Sequence, residues 1–219
     1  MDYVFHWRPV FRALPSLLEA ALVTLEVAAI SIVIGIVFGL CLALVRMHMT
    51  GPVKWFASTW VELARNTPAL LQLFFFGFGL GSFGINLSPY AIVLLALSFN
   101  NAGYLAENFR GGFNAIPNTQ LRAARSLGMT AFQAYLRIII PQVLRIVYYP
   151  ITNQMVWAVL ISSLGMLVGF HELSGQTQFL ASKTFRIFEY FAVTAVIYFI
   201  IVKLILGASR LLSMRLFRY

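Results

Sequence analysis

Side chains able to do covalent or metal chemistry are few and scattered in this chain. There is one cysteine, Cys41, inside an apolar run, and there are three histidines. His171 has no second ligand at metal spacing, so no metal centre is expected. A membrane enzyme would need acids, histidines or cysteines clustered at ligand spacing, and none are. What does cluster is arginine. Arg110, Arg122, Arg125, Arg137 and Arg145 fall in one stretch, RGGFNAIPNTQLRAARSLGMTAFQAYLRIIIPQVLR. The stretch is either a solvated loop that sets topology or a docking element for a partner.

Helix punctuation lies inside it. Pro117 opens a short helix, since the first helical residues have no amide partner to lose. Leu121, Ala124 and Leu127 fall at helical spacing on one side, with Arg122 and Arg125 beside them. Gly128 is the stop, because glycine accepts the left-handed conformation at a helix end. Thr130-Ala131-Phe132-Gln133 reads as a capping box for a second helix, and Pro141 marks a break before the next apolar run. The pattern predicts a helix–turn–helix between two membrane spans.

The rest of the chain is built for lipid. Of 219 residues, 60% are hydrophobic and only 11% charged, where a soluble domain carries about 25% charged residues. The net charge of +9 in so apolar a chain points to membrane orientation and partner contacts, not to nucleic acid. The first long apolar run exceeds a signal-peptide core. Five spans are predicted. The first starts near Pro15 or Leu17 and runs to Val45, the second covers about 55–78, the third 90–107, the fourth 146–170 and the fifth 189–209. The segment from His171 to Arg186 is read as a loop.

Polar residues interrupt these spans. Glu19 and Glu26 lie in the first, with Gly35 and Gly39 in a G-x-x-x-G spacing that permits close helix approach. Glu62 and Arg65 are three apart, which allows a pair, and Pro68 should kink the second span and free backbone carbonyls, with Gln72 one turn on. Asn100 and Asn101 need partners in a bilayer. Asn153, Gln154, Ser162 and Ser163 mark the fourth span, as helix–helix glue or as the lining of a pathway. Gly79 to Gly84 spells G-x-G-x-x-G, but no strand precedes it and no acid follows about 20 residues on, so a nucleotide site is rejected. No Walker A sequence occurs, and Asn86-Leu-Ser88 fits a glycosylation pattern that by itself assigns nothing.

Arg122-Ala-Ala124, Gly128 and Ile138-x-Ile140-Pro141 keep the spacing of the EAA loop and so resemble bacterial ABC importer permeases, with Arg122 in place of that family's glutamate near the start of a coupling helix. Three further segments are similar to polar amino acid permeases of the histidine/glutamine/glutamate type. They are Glu62-Leu-Ala-Arg65-Asn-Thr-Pro68 with Gln72, Tyr104-Leu-Ala-Glu107-Asn-Phe-Arg110-Gly-Gly, and Ser182-Lys-Thr-Phe-Arg186 with Phe188-Glu189.

That resemblance implies an all-α polytopic bundle, a type I ABC importer permease, forming one transmembrane domain over 1–219 with a cytoplasmic coupling loop at 110–141. It implies docking onto two ATPase subunits through Leu121, Arg122, Ala123, Ala124, Leu127, Gly128, Thr130 and Phe132. The expected pathway residues are Glu62, Arg65, Gln72, Asn100, Asn153, Gln154, Ser162 and Ser163. No cofactor belongs to this chain, since ATP and Mg would be held by the partner ATPase. The other implied partners are a periplasmic or lipid-anchored amino-acid-binding protein, the amino acid itself and a second permease subunit. Arg122 is either an exposed, tolerant position, in which case the second subunit can be another copy of this chain, or is matched to an acidic patch on one ATPase, in which case the second subunit is a related chain that carries the usual glutamate. The stretch from Ile161 to Glu189 leans toward permeases for glutamate, aspartate and relatives. With the coupling loop inside, ten Lys and Arg lie inside and four outside, which orients the chain with its N-terminus outside and C-terminus inside; the resemblance implies that the membrane is a bacterial inner membrane. The alternative is a stand-alone secondary transporter or channel, against which the lack of an internal repeat argues.

Overall fold

The computed structural model describes residues 3–217. Met1, Asp2, Arg218 and Tyr219 lie outside the described residues, so the part that Arg218 plays in the charge count is not addressed by the fold. Every regular element among the described residues is helical. A short helix α1 (Arg8–Arg12) leads into α2 (Leu14–His48). Two pieces, α3 (Gly51–Asn66) and α4 (Ala69–Phe74), follow, and α4 runs on through a π turn at Phe75–Gly79. Helix α5 (Pro89–Asn114) comes next, then α6 (Asn118–Ser126), α7 (Ala131–Ala134), α8 (Ile140–Ile161), α9 (Leu173–Thr184) and α10 (Ile187–Leu216).

Three helical stretches are long and apolar enough to cross a membrane: Leu14–His48, Ala131–Val168 and Ile187–Leu216. The two other expected spans correspond to the α3–α4 pair, which is broken, and to α5, whose polar side chains are packed inward. Helix α5 is central, touching α2, α3, α4 and α8. Small residues make this possible. A Cβ on Gly35 would stand 2.7 Å from Asn101 Cβ, and one on Gly39 would stand 3.0 Å from Ala102 O and Ala106 N. The G-x-x-x-G spacing of α2 therefore seats it against α5, as the spacing predicts. Ser88 caps α5, its hydroxyl accepting from Ala91 N, with Pro89 in the first turn.

Three boundaries differ from the sequence reading. Pro141 does not break the chain: α7 passes through a π turn at Tyr135–Ile139 directly into α8, and a 3-10 stretch carries it to Val168. A proline in the first turn after a π turn falls where the hydrogen-bond ladder is already shifted, so its missing N–H costs little. Accordingly, Arg137 and Arg145 stand on this long helix, Arg110 stands on α5, and the linkers of the loop shrink to 115–117 and 127–130. Secondly, His171–Arg186 is no loop. Glu172 caps α9, accepting from Gly175 N at 2.9 Å, and Phe185 ends it in the left-handed region at φ 57°. Thirdly, α5 continues seven residues past Glu107, to Asn114.

Two buried acids pin the ends of the bundle. Glu172 is 0% exposed and also accepts from Thr24 Oγ1 (3.1 Å) and Tyr198 OH (2.8 Å). Burial pushes its carboxyl above the ordinary carboxylate range, against the pull of these donors. Glu189 accepts from Tyr3 OH and His6 N, tying the N-terminal arm to the start of α10.

Candidate functional site

The site begins at a break. Thr67 and Pro68 are extended, with ψ 145° and 137°. Pro68 has no N–H to offer Ala64 O, the carbonyl four residues back. Side chains take over instead. Gln72 Nε2 donates to Ala64 O (2.9 Å), Thr67 O (3.1 Å) and Thr67 Oγ1 (2.9 Å). Asn100 Nδ2 donates to Ala64 O (3.2 Å) and to Gln72 Oε1 (3.0 Å). Gln72 and Asn100 are thus buried supports of the break, and the freed carbonyls expected from Pro68 are present and satisfied.

Beside the break lies a cavity of about 710 Å³ between α3–α4, α5 and α8. Arg65, Asn66 and Thr67 form one wall, and Asn100, Tyr104 and Asn108 form the second. The third carries Asn153, Gln154 and Trp157. The guanidinium of Arg65 lies 5.7 Å from the centre of the Tyr104 ring, a cation–π approach. Asn153 and Trp157 are exposed to this space, while Gln154 is buried and donates to Asn101 Oδ1 at 2.9 Å. Asn101 in turn donates to Ser31 Oγ at 3.0 Å, so a polar chain joins α8, α5 and α2. Gln154 therefore serves as glue and as wall together.

Of the expected pathway residues, the structure brings together Arg65, Asn100, Asn153 and Gln154 at the cavity, with Gln72 behind it. Glu62 is not among them. It is exposed, lines no part of the cavity and makes no ion pair with Arg65. The expected Glu62–Arg65 pair is replaced by one from Arg65 Nη1 to Glu107 Oε2 at 3.8 Å. Ser162 and Ser163 also fall elsewhere, their hydroxyls returned to Val159 O and Leu160 O of their own helix, as serines in helices do. Ser163 opens instead on a separate hollow with Tyr198.

Glu107 was not recognised as the centre of a cluster. It pairs with Arg46 from the last turn of α2, with Arg65 from the last turn of α3, and with Arg110 at 2.7 Å in its own helix. Arg46 and Glu107 end the first and third spans, which in an alternating topology places them on one side of the membrane. That was the available signal.

The second region is the tip formed by α6 and α7. Gly128 turns with φ 85°, and the capping box is complete: Gln133 N donates to Thr130 Oγ1 (3.2 Å) and Thr130 N to Gln133 Oε1 (2.9 Å). Ala124 is buried and Leu121 half-buried, anchoring α6, while Arg122, Ala123 and Arg125 face outward. Leu127 is 84% and Phe132 75% exposed. Two large apolar side chains standing out among cations form an interaction surface rather than a solvated loop. Arg122 lies mid-helix in α6, not near its start, so its charge does not oppose the dipole at the helix N-terminus. No group of three or more metal-ligating side chains exists among the described residues.

Residues 31–218 match the family described as binding-protein-dependent transport system inner membrane component. The chain is 32% identical over 198 residues to the probable amino-acid permease protein YxeN of Bacillus subtilis (strain 168), covering 89% of this chain and 88% of that one. It is 34% identical to the probable glutamine ABC transporter permease protein GlnM of the same organism, covering 81% and 82%. A solved structure described as an amino acid ABC transporter with histidines superposes with TM-score 0.91 at 31% identity over 97% of this chain and 100% of that one. The MetNI methionine ABC transporter, at TM-score 0.72 and 20% identity over 97% and 99%, shares the fold.

Proposed function

This chain belongs to the binding-protein-dependent transport system inner membrane component family, and from that premise we propose that it carries polar amino acids. It is a multi-pass permease subunit of an ABC importer in the inner membrane, and the ATPase is a separate subunit. The amino acid is the finer reading. It is supported by the relatives named as amino-acid and glutamine permeases and by one observation in this chain, the polar cavity at the Thr67–Pro68 break. A zwitterion needs partners for both its charges, and the cavity offers the Arg65 guanidinium beside the amide groups of Asn66, Asn108 and Asn153.

The mechanism follows from these parts as alternating access. A binding protein delivers the amino acid outside, and the cavity receives it near Arg65 and Asn153. Two ATPase subunits, holding ATP and Mg, close and push on the α6–α7 tip of each permease subunit. Leu121, Ala124 and Gly128 shape that tip, Arg122, Ala123, Leu127 and Phe132 contact the ATPase, and Thr130 caps α7. Five crossings, made by α2, the α3–α4 pair, α5, α8 and α10, form one transmembrane domain over 1–219. The N-terminus lies outside and the C-terminus inside. The second permease subunit is a related chain whose coupling helix carries glutamate where this one has Arg122.

Reconstitution tests this reading. The permease, its ATPase and the binding protein in proteoliposomes should take up labelled glutamate, aspartate, glutamine or histidine only with ATP. ATP-dependent uptake confined to another class of solute would overturn the substrate assignment.

A further inference from the structure

Glu107 is the shared counter-charge of three arginines. Its Oε1 meets Arg46 Nη1 and Arg110 Nε, and its Oε2 meets Arg110 Nη2 at 2.7 Å and Arg65 Nη1 at 3.8 Å. The Glu107 and Arg46 side chains are 16% and 18% exposed, so water screens this cluster only in part. No other described acid can stand in. Glu19 and Glu26 sit in the first half of α2, Glu62 forms no ion pair, and Glu172 and Glu189 are committed at the ends of α9 and α10. Without the carboxylate, three cations would face one another and separate.

The three ties differ in what they join. Arg110 rides on α5 with Glu107, one turn away, and its pair moves as one body. Arg46 and Arg65 come from α2 and α3, so their pairs tie helices together. Arg65 is the least committed, being the most distant and 41% exposed, and it also stands in the cavity wall beside the break. Helix α5 continues unbroken from Glu107 to Asn114, and only residues 115–117 separate it from α6. A displacement of the α6–α7 tip therefore has a short path to Glu107 along α5, beside the continuous path through α7 into α8.

We propose that Glu107 is a positioning residue for transport: it holds Arg65 at the mouth of the cavity and ties it to the root of the docking tip, so that the cavity opens when the tip moves. This rests on the chain being the permease of an ATPase-driven importer. Glu107 touches no substrate in this scheme and acts through Arg65.

The test uses the assembled complex with its binding protein. Asn153→Cys in a Cys41→Ala background reports access to the cavity through its rate of labelling by a charged maleimide. Glu107→Gln should raise that rate, without ATP, by at least about fivefold, and, in the chain that keeps Asn153, lower the ratio of substrate-stimulated to basal ATPase activity to a similar degree. Glu107→Asp, which keeps the charge, should restore both toward the starting values, which a role in folding alone would not predict. Unchanged labelling and stimulation in Glu107→Gln would overturn the proposal. If that variant does not assemble, Arg65→Gln at the exposed end of the cluster is measured in its place, and unchanged values there overturn it equally. Failure of the unsubstituted complex to respond to binding protein and amino acid overturns the functional reading, and this proposal with it. That outcome is told apart because it needs no substitution.

Discussion

Gln72 Nε2 stands 2.9 Å from Ala64 O, the acceptor that Pro68 leaves without its helical partner. One side chain thus closes a gap that a residue four positions earlier opens. Gln72→Leu keeps the volume and removes the donors, leaving Thr67 O unpaired and Ala64 O with Asn100 alone. The cost of such a loss is about 1–3 kcal/mol, readable as a lower thermal unfolding midpoint of the purified subunit. In a Pro68→Ala background the residue-68 N–H can reach Ala64 O again, so the same substitution should cost roughly half as much or less. Transport should nevertheless be lost in that background, because the wall of the cavity straightens.

Asn153 and Gln154 are neighbours with separable roles. Asn153→Leu removes an exposed wall group and should lower uptake about tenfold, the effect of losing one hydrogen bond of roughly 1.4 kcal/mol, while the unfolding midpoint stays put. Gln154→Leu strands Asn101 Oδ1 in the interior and should lower the midpoint first. Ser162→Ala and Ser163→Ala should leave uptake unchanged, since both hydroxyls return to their own helix.

The tip offers a test of docking. Gly128 sits at φ 85°, where a β-branched residue is strained by about 1–2 kcal/mol. Gly128→Val should displace α7 and abolish co-purification with the ATPase. Leu127→Asp, at a site 84% exposed, should leave the isolated subunit as stable as before and still prevent co-purification. ATPase retained in full by both variants would remove the docking role from this loop.

Arg122 tests the pairing. Expressed with the ATPase but without a sister permease, this chain should fail to form a stable complex, and Arg122→Glu should weaken the complex that forms when the sister is present. A substrate-stimulated assembly containing two copies of this chain would refute the heterodimer.

Glu172 tests the packing of α9 against α2 and α10. Glu172→Ala removes one acceptor each from Thr24 Oγ1, Tyr198 OH and Gly175 N; Thr24 keeps Ala20 O and Tyr198 keeps Ser174 Oγ, so Gly175 N is the buried group left unpaired, at about 1–3 kcal/mol, and the unfolding midpoint should fall. Because burial raises its folded-state pKa, the protonated acid is favoured by folding. That contribution is complete below the unfolded carboxylate value of about 4.3 and is lost as pH rises through the folded value. Glu172→Gln should flatten this slope of midpoint against pH.

Local chemistry made much of this legible in the residues. Gly128, the Thr130–Gln133 box, the Gly35–Gly39 spacing and the Pro68 break each act through neighbours a few positions away, or through one packed face. The resemblance to the permeases was likewise legible in short segments such as Glu62–Pro68 and Arg122–Pro141, within the residues 31–218 that the family matches. What was missed depends on distant parts of the chain. Nothing near Glu107 in sequence announces Arg46, and nothing near Arg65 says that it turns from Glu62, one turn behind, to Glu107. The α9 helix was read as a loop because its polar residues satisfy one another and two neighbouring helices: Thr177 meets Thr194, Ser174 meets Tyr198, and Glu172 meets Thr24. Pro141 misled because a π turn, which leaves no mark in the sequence pattern, had already shifted the ladder.

The unbroken run from Ala131 to Val168 is also a lever. At 1.5 Å per residue its 38 residues span about 55 Å, from the exposed Phe132 at the docking tip to the turn at Gly169, just ahead of Glu172. Tilting such a rod by about ten degrees about one end sweeps the other through roughly 10 Å, more than the breadth of an amino acid. With the tip as the moving end, Asn153 and Trp157, past the midpoint, would travel about a third to two-fifths as far. The proline that looked like a joint is part of the shaft, so a push at the tip arrives at the cavity wall without being dissipated in a loop.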